Sequence, residues 1–161
     1  MGSAAAGGLS GGGGEIKQFR IESGEKRILR ILFVCQGNTC RSPMAVGLAS
    51  KLLPNNFCLD SAGIDTNFGR VAKENAIIVM KNEYGIDISK HKTKDIGMIS
   101  FDRFDIIVAM DQYVFDELIS QYKLTHKIIY KWDIDDPFGP DYQRYKKCAM
   151  QIKEMILNEF G

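Results

Sequence analysis

The segment FVCQGNTCRSP, residues 33–43, joins a strand-like run to a helix-forming stretch and decides how the chain is read. Residues 27–35 form a short, nearly continuous apolar run, which is typical of a strand covered on both faces. Pro43 stands at a favourable first helical position, and Pro54 ends that helix. Cysteines, a glycine, small polar residues and an arginine crowd into the turn between them. A loop that only connected two elements would not need them.

The rest of the chain alternates strands with helices. Strands are predicted at 57–63, 104–110 and 127–132, and helices at 71–85, 111–122 and 142–160. This order predicts a single α/β domain with a four-stranded parallel sheet and helices on both faces. In such sheets ligands bind at the carboxyl ends of the strands, near a topological switch point. Cys35, Asp111 and the loop 133–141 are therefore expected at one rim.

Composition limits the classes of function. The chain has 161 residues, a formal charge of +1, and no apolar run near the roughly 20 residues of a membrane span. We therefore expect neither nucleic acid nor a membrane as a partner. Four cysteines in a chain of this length indicate no disulfide scaffold and favour a cytoplasmic location. Residues 1–26 are expected to form a flexible leader or a segment added for expression, and residues 27–161 the folded domain.

The spacing from Cys35 to Ser42 suits a loop that holds an oxyanion directly after the first strand. Its backbone N–H groups and the following helix N-terminus would form an anion nest, and Arg41 would grip two phosphate oxygens. That positive environment favours the thiolate of Cys35, which is the nucleophilic form. Gly37 would supply a backbone angle closed to other residues, and Ser42 a hydrogen bond to the sulfur.

Two simpler interpretations of this loop are weaker. A buried core cysteine is the ordinary role of a lone Cys, but it leaves the other loop residues at their fixed offsets unexplained. A zinc site would need a second pair of ligands at suitable spacing, and Cys35 and Cys40 have none. No metal and no cofactor are therefore expected.

The stretch VCQGNTCRSPMA (34–45) resembles the phosphate-binding loop of the low-molecular-weight protein tyrosine phosphatases. The resemblance covers about residues 28–160. It includes the stretches DSAG (60–63), YGIDISKHK (84–92), FDIIVAMD (104–111) and DDPFG (135–139).

The resemblance implies an enzyme that works through a phosphocysteine intermediate on Cys35. Asp136, in the DP pair, matches the general acid, although chemistry alone does not separate it from Asp135. Arg41 and the loop amides would carry the charge stabilisation, without a metal. The implied phosphate-binding residues are Gln36, Gly37, Asn38, Thr39, Cys40 and Ser42.

Three further residues match supporting or regulatory positions of that family. Ser61 and His91 would brace the phosphate loop together with Asn38, although both are also ordinary surface polar residues. Cys40 matches a loop cysteine that can form a disulfide with Cys35, a reversible redox switch; its simpler interpretation is a small packed thiol.

Departures from the phosphotyrosine pattern bear on the substrate. Thr39 stands where a branched aliphatic residue is usual, Gly139 follows Phe138 where a second aromatic is usual, and Phe68 is the remaining candidate for an aromatic wall. GNTC with DPFG is similar to the protein arginine phosphatases of the family, which favours phosphoarginine in protein substrates, with inorganic phosphate as product. The alternative is protein phosphotyrosine. Arsenate reductase, for which Cys58 and Cys148 form no close mobile pair, and a phosphate-binding module without catalysis rank lower.

Overall fold

The structure, a computed structural model, describes residues 27–124 and 127–161. The predicted leader, residues 1–26, lies outside the described residues. The strands are β1 (Leu29–Cys35), β2 (Phe57–Gly63), β3 (Ile106–Ala109) and β4 (Ile128–Lys131). The helices are α1 (Arg41–Leu52), α2 (Glu74–Tyr84), α3 (Gln112–Ser120) and α4 (Tyr142–Phe160).

All four strands are parallel and lie in the order β2-β1-β3-β4. Cys35 pairs with Gly63 of β2, and Val34 pairs with Ala109 of β3. The connection out of β1 goes to one side of that strand, whereas β3 lies on its other side. The topological switch point therefore lies between β1 and β3, where a parallel sheet opens a crevice at its carboxyl edge.

Each face of the sheet has its own core, which confirms the predicted layers. Ile31 and Phe33 of β1 point to one face, which is covered by α1, α2 and α4. Leu32 and Val34 point to the other face, against α3 and the segment 96–104. Successive residues of a strand face opposite sides, so a strand buried on both faces needs the continuous apolar run seen in the sequence.

The ends of several elements differ from the predicted ones. α1 begins at Arg41 rather than Pro43, so the arginine belongs to the first turn of the helix. α2 begins at Glu74, three residues after the predicted start, and ends as expected at Gly85, whose φ of 67° is left-handed. A short 3-10 turn at Phe101–Arg103 delays β3 to Ile106.

None of the helices in the described ranges is long and apolar enough to cross a membrane.

Candidate active site

The loop after β1 turns through Asn38, which has a φ of 58°. The sequence assigned the unusual backbone angle to Gly37, and that prediction is wrong, because Gly37 is not among the described glycines of positive φ. Asparagine enters the left-handed region more readily than most residues because its short polar side chain can hydrogen-bond locally. Asn38 is 0% exposed, so the turn is locked from inside the protein.

The sulfur of Cys35 lies at the floor of the loop. The backbone N–H of Asn38 donates to Cys35 Sγ at 3.2 Å, and Ser42 Oγ lies 2.9 Å from the same sulfur. The side-chain amide of Asn38 donates to Ser42 Oγ at 2.7 Å, which leaves the Ser42 hydroxyl proton free for the sulfur. The predicted contact between Ser42 and the sulfur is therefore present.

The loop is braced by two further side chains that the sequence singled out. The amide of Asn38 donates to Ser61 Oγ at 3.0 Å, and His91 Nε2 lies 2.8 Å from the Asn38 carbonyl oxygen. The Asn38 side-chain oxygen accepts from the backbone N–H of Lys94 at 2.9 Å. Burial lowers the pKa of His91, which favours a neutral ring that donates from Nε2. Asn38 therefore joins the loop to β2 and to the segment 91–94.

Gly63 ends β2 directly beneath the same turn. A Cβ at this position would lie 2.9 Å from Asn38 Cβ and 3.0 Å from the Asn38 backbone nitrogen. Real Cβ atoms essentially never come that close to such neighbours. The turn at Asn38 therefore packs directly against the backbone of Gly63, and this contact requires a residue without a side chain at the end of β2.

Arg41 is held by two acceptors and is only 2% exposed. Its Nη1 donates to Asp111 Oδ2 at 2.7 Å and to the Ile134 carbonyl oxygen at 2.8 Å. Its Nε and Nη2 make no hydrogen bond to any described residue and are available to a ligand. Burial alone would lower the pKa of Arg41, but the neighbouring Cys35 and Asp111 raise it above its ordinary value.

Asp111 has both of the roles that its position allows. One oxygen caps α3 by accepting from the Val114 backbone N–H at 2.9 Å, while the other holds Arg41. The sequence placed Asp111 at the rim of the sheet but did not predict the ion pair with an arginine 70 positions earlier. The shared carboxylate fixes the guanidinium against the carboxyl end of β3.

The site opens into a cavity of about 540 Å³. The cavity is lined by residues of the loop after β1, the start of α2, the loop 133–141 and α4. These residues are Cys35, Gln36, Gly37, Thr39, Cys40, Arg41, Lys73, Glu74, Asn75, Asp136, Phe138, Gly139, Pro140 and Tyr145. The sequence did not single out the α2 residues or Tyr145 as part of the site, because neither lies near a motif. The side chain of Phe68 lies outside the described part of the chain, so its place in the pocket stays a prediction.

Asp135 and Asp136, the two neighbouring carboxylates of the DP loop, differ in which cavity they line. Asp136 lines the cavity that contains Cys35 and Arg41, whereas Asp135 lines only an adjacent cavity of about 300 Å³. Phe138 stands at the mouth of the first cavity and is 68% exposed. The geometry therefore separates two residues that the sequence left as alternatives.

Cys40 lies beside the nucleophile loop but is buried. Its Sγ lies 3.8 Å from the hydroxyl of Tyr145 and 3.9 Å from Thr39 Oγ1. Burial raises the pKa of Cys40 to about 11, so the thiol stays protonated at neutral pH. All four cysteines of the chain are free in this structure.

Fold and site together define an α/β enzyme with an oxyanion-binding cysteine loop, and known proteins agree. The model of the family described as low molecular weight phosphotyrosine protein phosphatase matches residues 30–159. This chain belongs to that family and is a protein phosphatase by class.

Solved structures and curated relatives similar to this chain are named for different activities. A low molecular weight protein tyrosine phosphatase from T. tengcongensis has a TM-score of 0.73 and 37% identity, covering 80% of this chain and 95% of that one. The YwlE arginine phosphatase from Geobacillus stearothermophilus has a TM-score of 0.70 and 30% identity, covering 80% and 88%. Arsenate reductase 1 from Staphylococcus epidermidis is 35% identical over 132 residues, 78% of this chain and 91% of that protein.

Proposed function

We propose that this chain hydrolyses phosphoarginine in proteins through a phosphocysteine intermediate on Cys35. The observation that carries the proposal is the position of Thr39, which is 5% exposed and lines the same cavity as Cys35 and Asp136. Thr39 brings a hydroxyl to the position where phosphotyrosine members of the family usually carry a branched aliphatic side chain. The arginine phosphatase named above, at 30% identity, supports the same substrate.

In the first half-reaction, the Cys35 thiolate attacks phosphorus. The new S–P bond forms as the bond from phosphorus to the leaving nitrogen breaks, and Asp136 gives its proton to that nitrogen. The free nitrogens of Arg41 and the loop N–H groups stabilise the negative charge on the phosphoryl oxygens. The Ser42 hydroxyl, 2.9 Å from the sulfur, stabilises the thiolate before attack.

In the second half-reaction, water attacks the phosphocysteine. Asp136, now ionised, accepts a proton from that water, the S–P bond breaks, and inorganic phosphate leaves. Cys35 departs as a thiolate and the hydrogen bonds from Asn38 and Ser42 stabilise it again. The protein residues balance both steps without a metal or a cofactor.

The scarcity of aromatic side chains in the cavity supports a guanidinium rather than a phenyl ring as the substrate group. Among the described lining residues, the aromatic ones are Phe138 at the mouth and Tyr145, which is itself buried against Cys40. A ring would therefore find few flat walls to pack against. The planar guanidinium of phosphoarginine instead uses polar partners, and the Thr39 hydroxyl is one such partner in this cavity.

The test compares kcat/KM on matched phosphoarginine and phosphotyrosine peptides for the parent, Thr39→Val, Asp136→Ala and Cys35→Ser. We expect a preference for phosphoarginine that Thr39→Val weakens, since valine keeps the shape and removes the hydroxyl. Asp136→Ala should lower kcat by about 10²-fold or more, and Cys35→Ser should abolish turnover. A parent that prefers phosphotyrosine would contradict the substrate but not the mechanism.

Protein phosphotyrosine is the second candidate, and Phe138 is the observation that favours it. An exposed ring at the mouth offers one face to a tyrosine side chain, and the T. tengcongensis relative is named for this activity. Phe138→Ala should raise KM for a phosphotyrosine peptide more than for a phosphoarginine peptide.

Arsenate reductases are among the relatives of similar identity, but that chemistry needs further cysteines to relay the disulfide that forms when two thiols give their electrons to arsenate. Here Cys58 is exposed on β2 and Cys148 is buried in α4. We expect no arsenate reduction with thioredoxin or glutaredoxin as the electron donor. A product burst with a chromogenic phosphate ester would exclude a binding module without catalysis.

The redox switch between Cys35 and Cys40 follows from the same loop. Because Cys40 stays protonated, peroxide should first oxidise Cys35 to the sulfenic acid, which Cys40 then converts to a disulfide with loss of water. Mass spectrometry after peroxide should show a loss of two hydrogens that dithiothreitol reverses. Sulfinic acid on Cys35 alone would exclude the switch. Such a switch suits a reducing, cytoplasmic setting.

A further inference from the structure

The first turn of α2 forms part of the wall of the catalytic cavity, through Lys73, Glu74 and Asn75. None of the three lies in the loop motif, and the mechanism above uses none of them. They lie at the mouth, where the part of a substrate beyond its phosphate must pass. Their chemistry therefore bears on which substrates enter.

This turn is fixed to the phosphate loop by the main chain. The backbone N–H of Lys73 donates to the Thr39 carbonyl oxygen at 2.8 Å. Thr93 holds the residues that precede this turn. Its Oγ1 donates to the Gly69 carbonyl oxygen at 3.1 Å, and its backbone N–H donates to the Arg70 carbonyl oxygen at 3.0 Å. The first turn of α2 is thus held in a set position relative to the cradle that takes the phosphate.

Glu74 carries a free carboxylate at this position. Its side chain is exposed and makes no hydrogen bond or ion pair with any residue that the structure describes. Glu83, at the other end of the same helix, is by contrast held by the Tyr142 hydroxyl at 2.8 Å and by Lys146 at 3.7 Å. The cavity lining therefore contains two carboxylates, those of Glu74 and Asp136, together with the cations Arg41 and Lys73.

We propose that Glu74 is a specificity-determining residue that binds the guanidinium of a phosphoarginine side chain, an inference that rests on the proposed function. A phosphorylated guanidinium keeps two N–H-bearing nitrogens besides the one bonded to phosphorus. A carboxylate accepts from two such groups at once, in the planar geometry that arginine favours. A phenyl ring offers no such donors, so the contact distinguishes the two substrates.

A second carboxylate also allows proton donation and guanidinium binding to be carried out by different residues. Asp136 must carry a proton to the leaving nitrogen, so in its protonated form it is a poor partner for a cation. Glu74 takes no part in that transfer. The two carboxylates thereby divide proton donation and charge recognition between them.

The test is the ratio of kcat/KM for phosphoarginine over phosphotyrosine peptides in Glu74→Gln. We expect this ratio to fall about tenfold, the size of one lost charge-assisted hydrogen bond, mainly through a higher KM for phosphoarginine. Glu74→Asp should recover part of it, and Glu74→Lys should lower it further. Glu154→Gln, an exposed glutamate on α4 that lines neither cavity, is the matched control and should leave the ratio unchanged.

The outcomes separate this inference from the function on which it rests. A parent that hydrolyses phosphotyrosine but not phosphoarginine overturns both. A parent that prefers phosphoarginine, with a ratio unchanged in Glu74→Gln, overturns the role of Glu74 alone. Equal losses on both peptides, with a lower melting temperature, would mean that Glu74 only stabilises the start of α2, and would also overturn it.

Discussion

The two loops to which the proposed mechanism assigns the reacting groups are built in opposite ways. In the phosphate loop (residues 35–42), Asn38, Arg41 and Ser42 are buried and hydrogen-bonded. In the acid loop (residues 133–141), most residues are exposed, and the described side chains that anchor it are few. A site that stabilises charge must be fixed before the reaction, whereas a group that donates a proton and then releases product benefits from a segment of low local stability.

The acid loop is nevertheless hydrogen-bonded at its start to the end of β3 and to the phosphate loop. The backbone N–H of Ile134 donates to the Met110 carbonyl oxygen at 2.9 Å, and the Ile134 carbonyl accepts from Arg41. Beyond this point Asp135, Asp136 and Phe138 are exposed. Substitutions in the two loops should therefore affect stability and rate in different proportions.

Asn38→Ala should have the largest effect of all. It removes the side-chain bonds to Ser42, Ser61 and Lys94 and leaves an alanine at positive φ. We expect a loss of about 2–4 kcal/mol in the free energy of unfolding and about a hundredfold or more in kcat. Urea denaturation and steady-state kinetics measure the two. Asn158→Ala, on the exposed face of α4, is the control; a small effect of Asn38→Ala would contradict the rigid-loop interpretation.

Asp111→Asn should follow. Asparagine caps a helix as well as aspartate, so the change isolates the ion pair with the buried Arg41. We expect a loss of about 2 kcal/mol in the free energy of unfolding and a lower kcat/KM. Asp141→Asn is the matched control, because Asp141 also caps a helix but pairs only with the exposed Arg144, 3.8 Å away. Equal effects from both variants would exclude a special role for the Asp111 charge.

His91→Gln should have a smaller effect that depends on pH. Burial lowers the pKa of His91 below its ordinary 6.5, so its contribution to stability is present above pH 6.5 and is lost as the pH falls. Glutamine donates a hydrogen bond at every pH. Thermal unfolding between pH 7.5 and 5 should therefore show a steeper loss for the parent than for the variant. Parallel curves would contradict a role for His91 in the loss of stability on the acid side.

Phe138→Ala should have the smallest effect on stability, because the ring is exposed. We expect a change within about 0.5 kcal/mol in the free energy of unfolding, together with a change in KM. Met98→Ala, exposed and outside both cavities, should change neither quantity. A loss of stability in Phe138→Ala as large as that in Asn38→Ala would remove the contrast between the loops.

The sequence predicted the fold because each layer depends on local patterns. The continuous apolar run of β1 and the left-handed glycine that ends α2 are both visible in short windows. The loop motif likewise named Cys35, Arg41 and Asp136 as the groups to bring together, and all three line one cavity.

What the sequence did not predict depends on contacts between distant positions. Arg41 meets Asp111 and the Ile134 carbonyl, which lie 70 and 93 positions later. Tyr145 reaches the loop from α4, and Glu74 enters the wall because the start of α2 is tied to Thr39. The positive φ of Asn38, assigned instead to Gly37, is a local error, and the bonds from the Asn38 side chain to Ser61 and Lys94 that hold this turn come from distant positions.

Gly63 has a consequence for how this protein can be engineered. Its side of the strand has no room for a methyl group, because the turn at Asn38 lies 2.9 Å from where a Cβ would be. In a library of random variants, position 63 should therefore behave like a residue of the catalytic loop, although it lies on another strand and bears no chemistry. Selection for folding alone should tolerate alanine there, while selection for turnover should return only glycine.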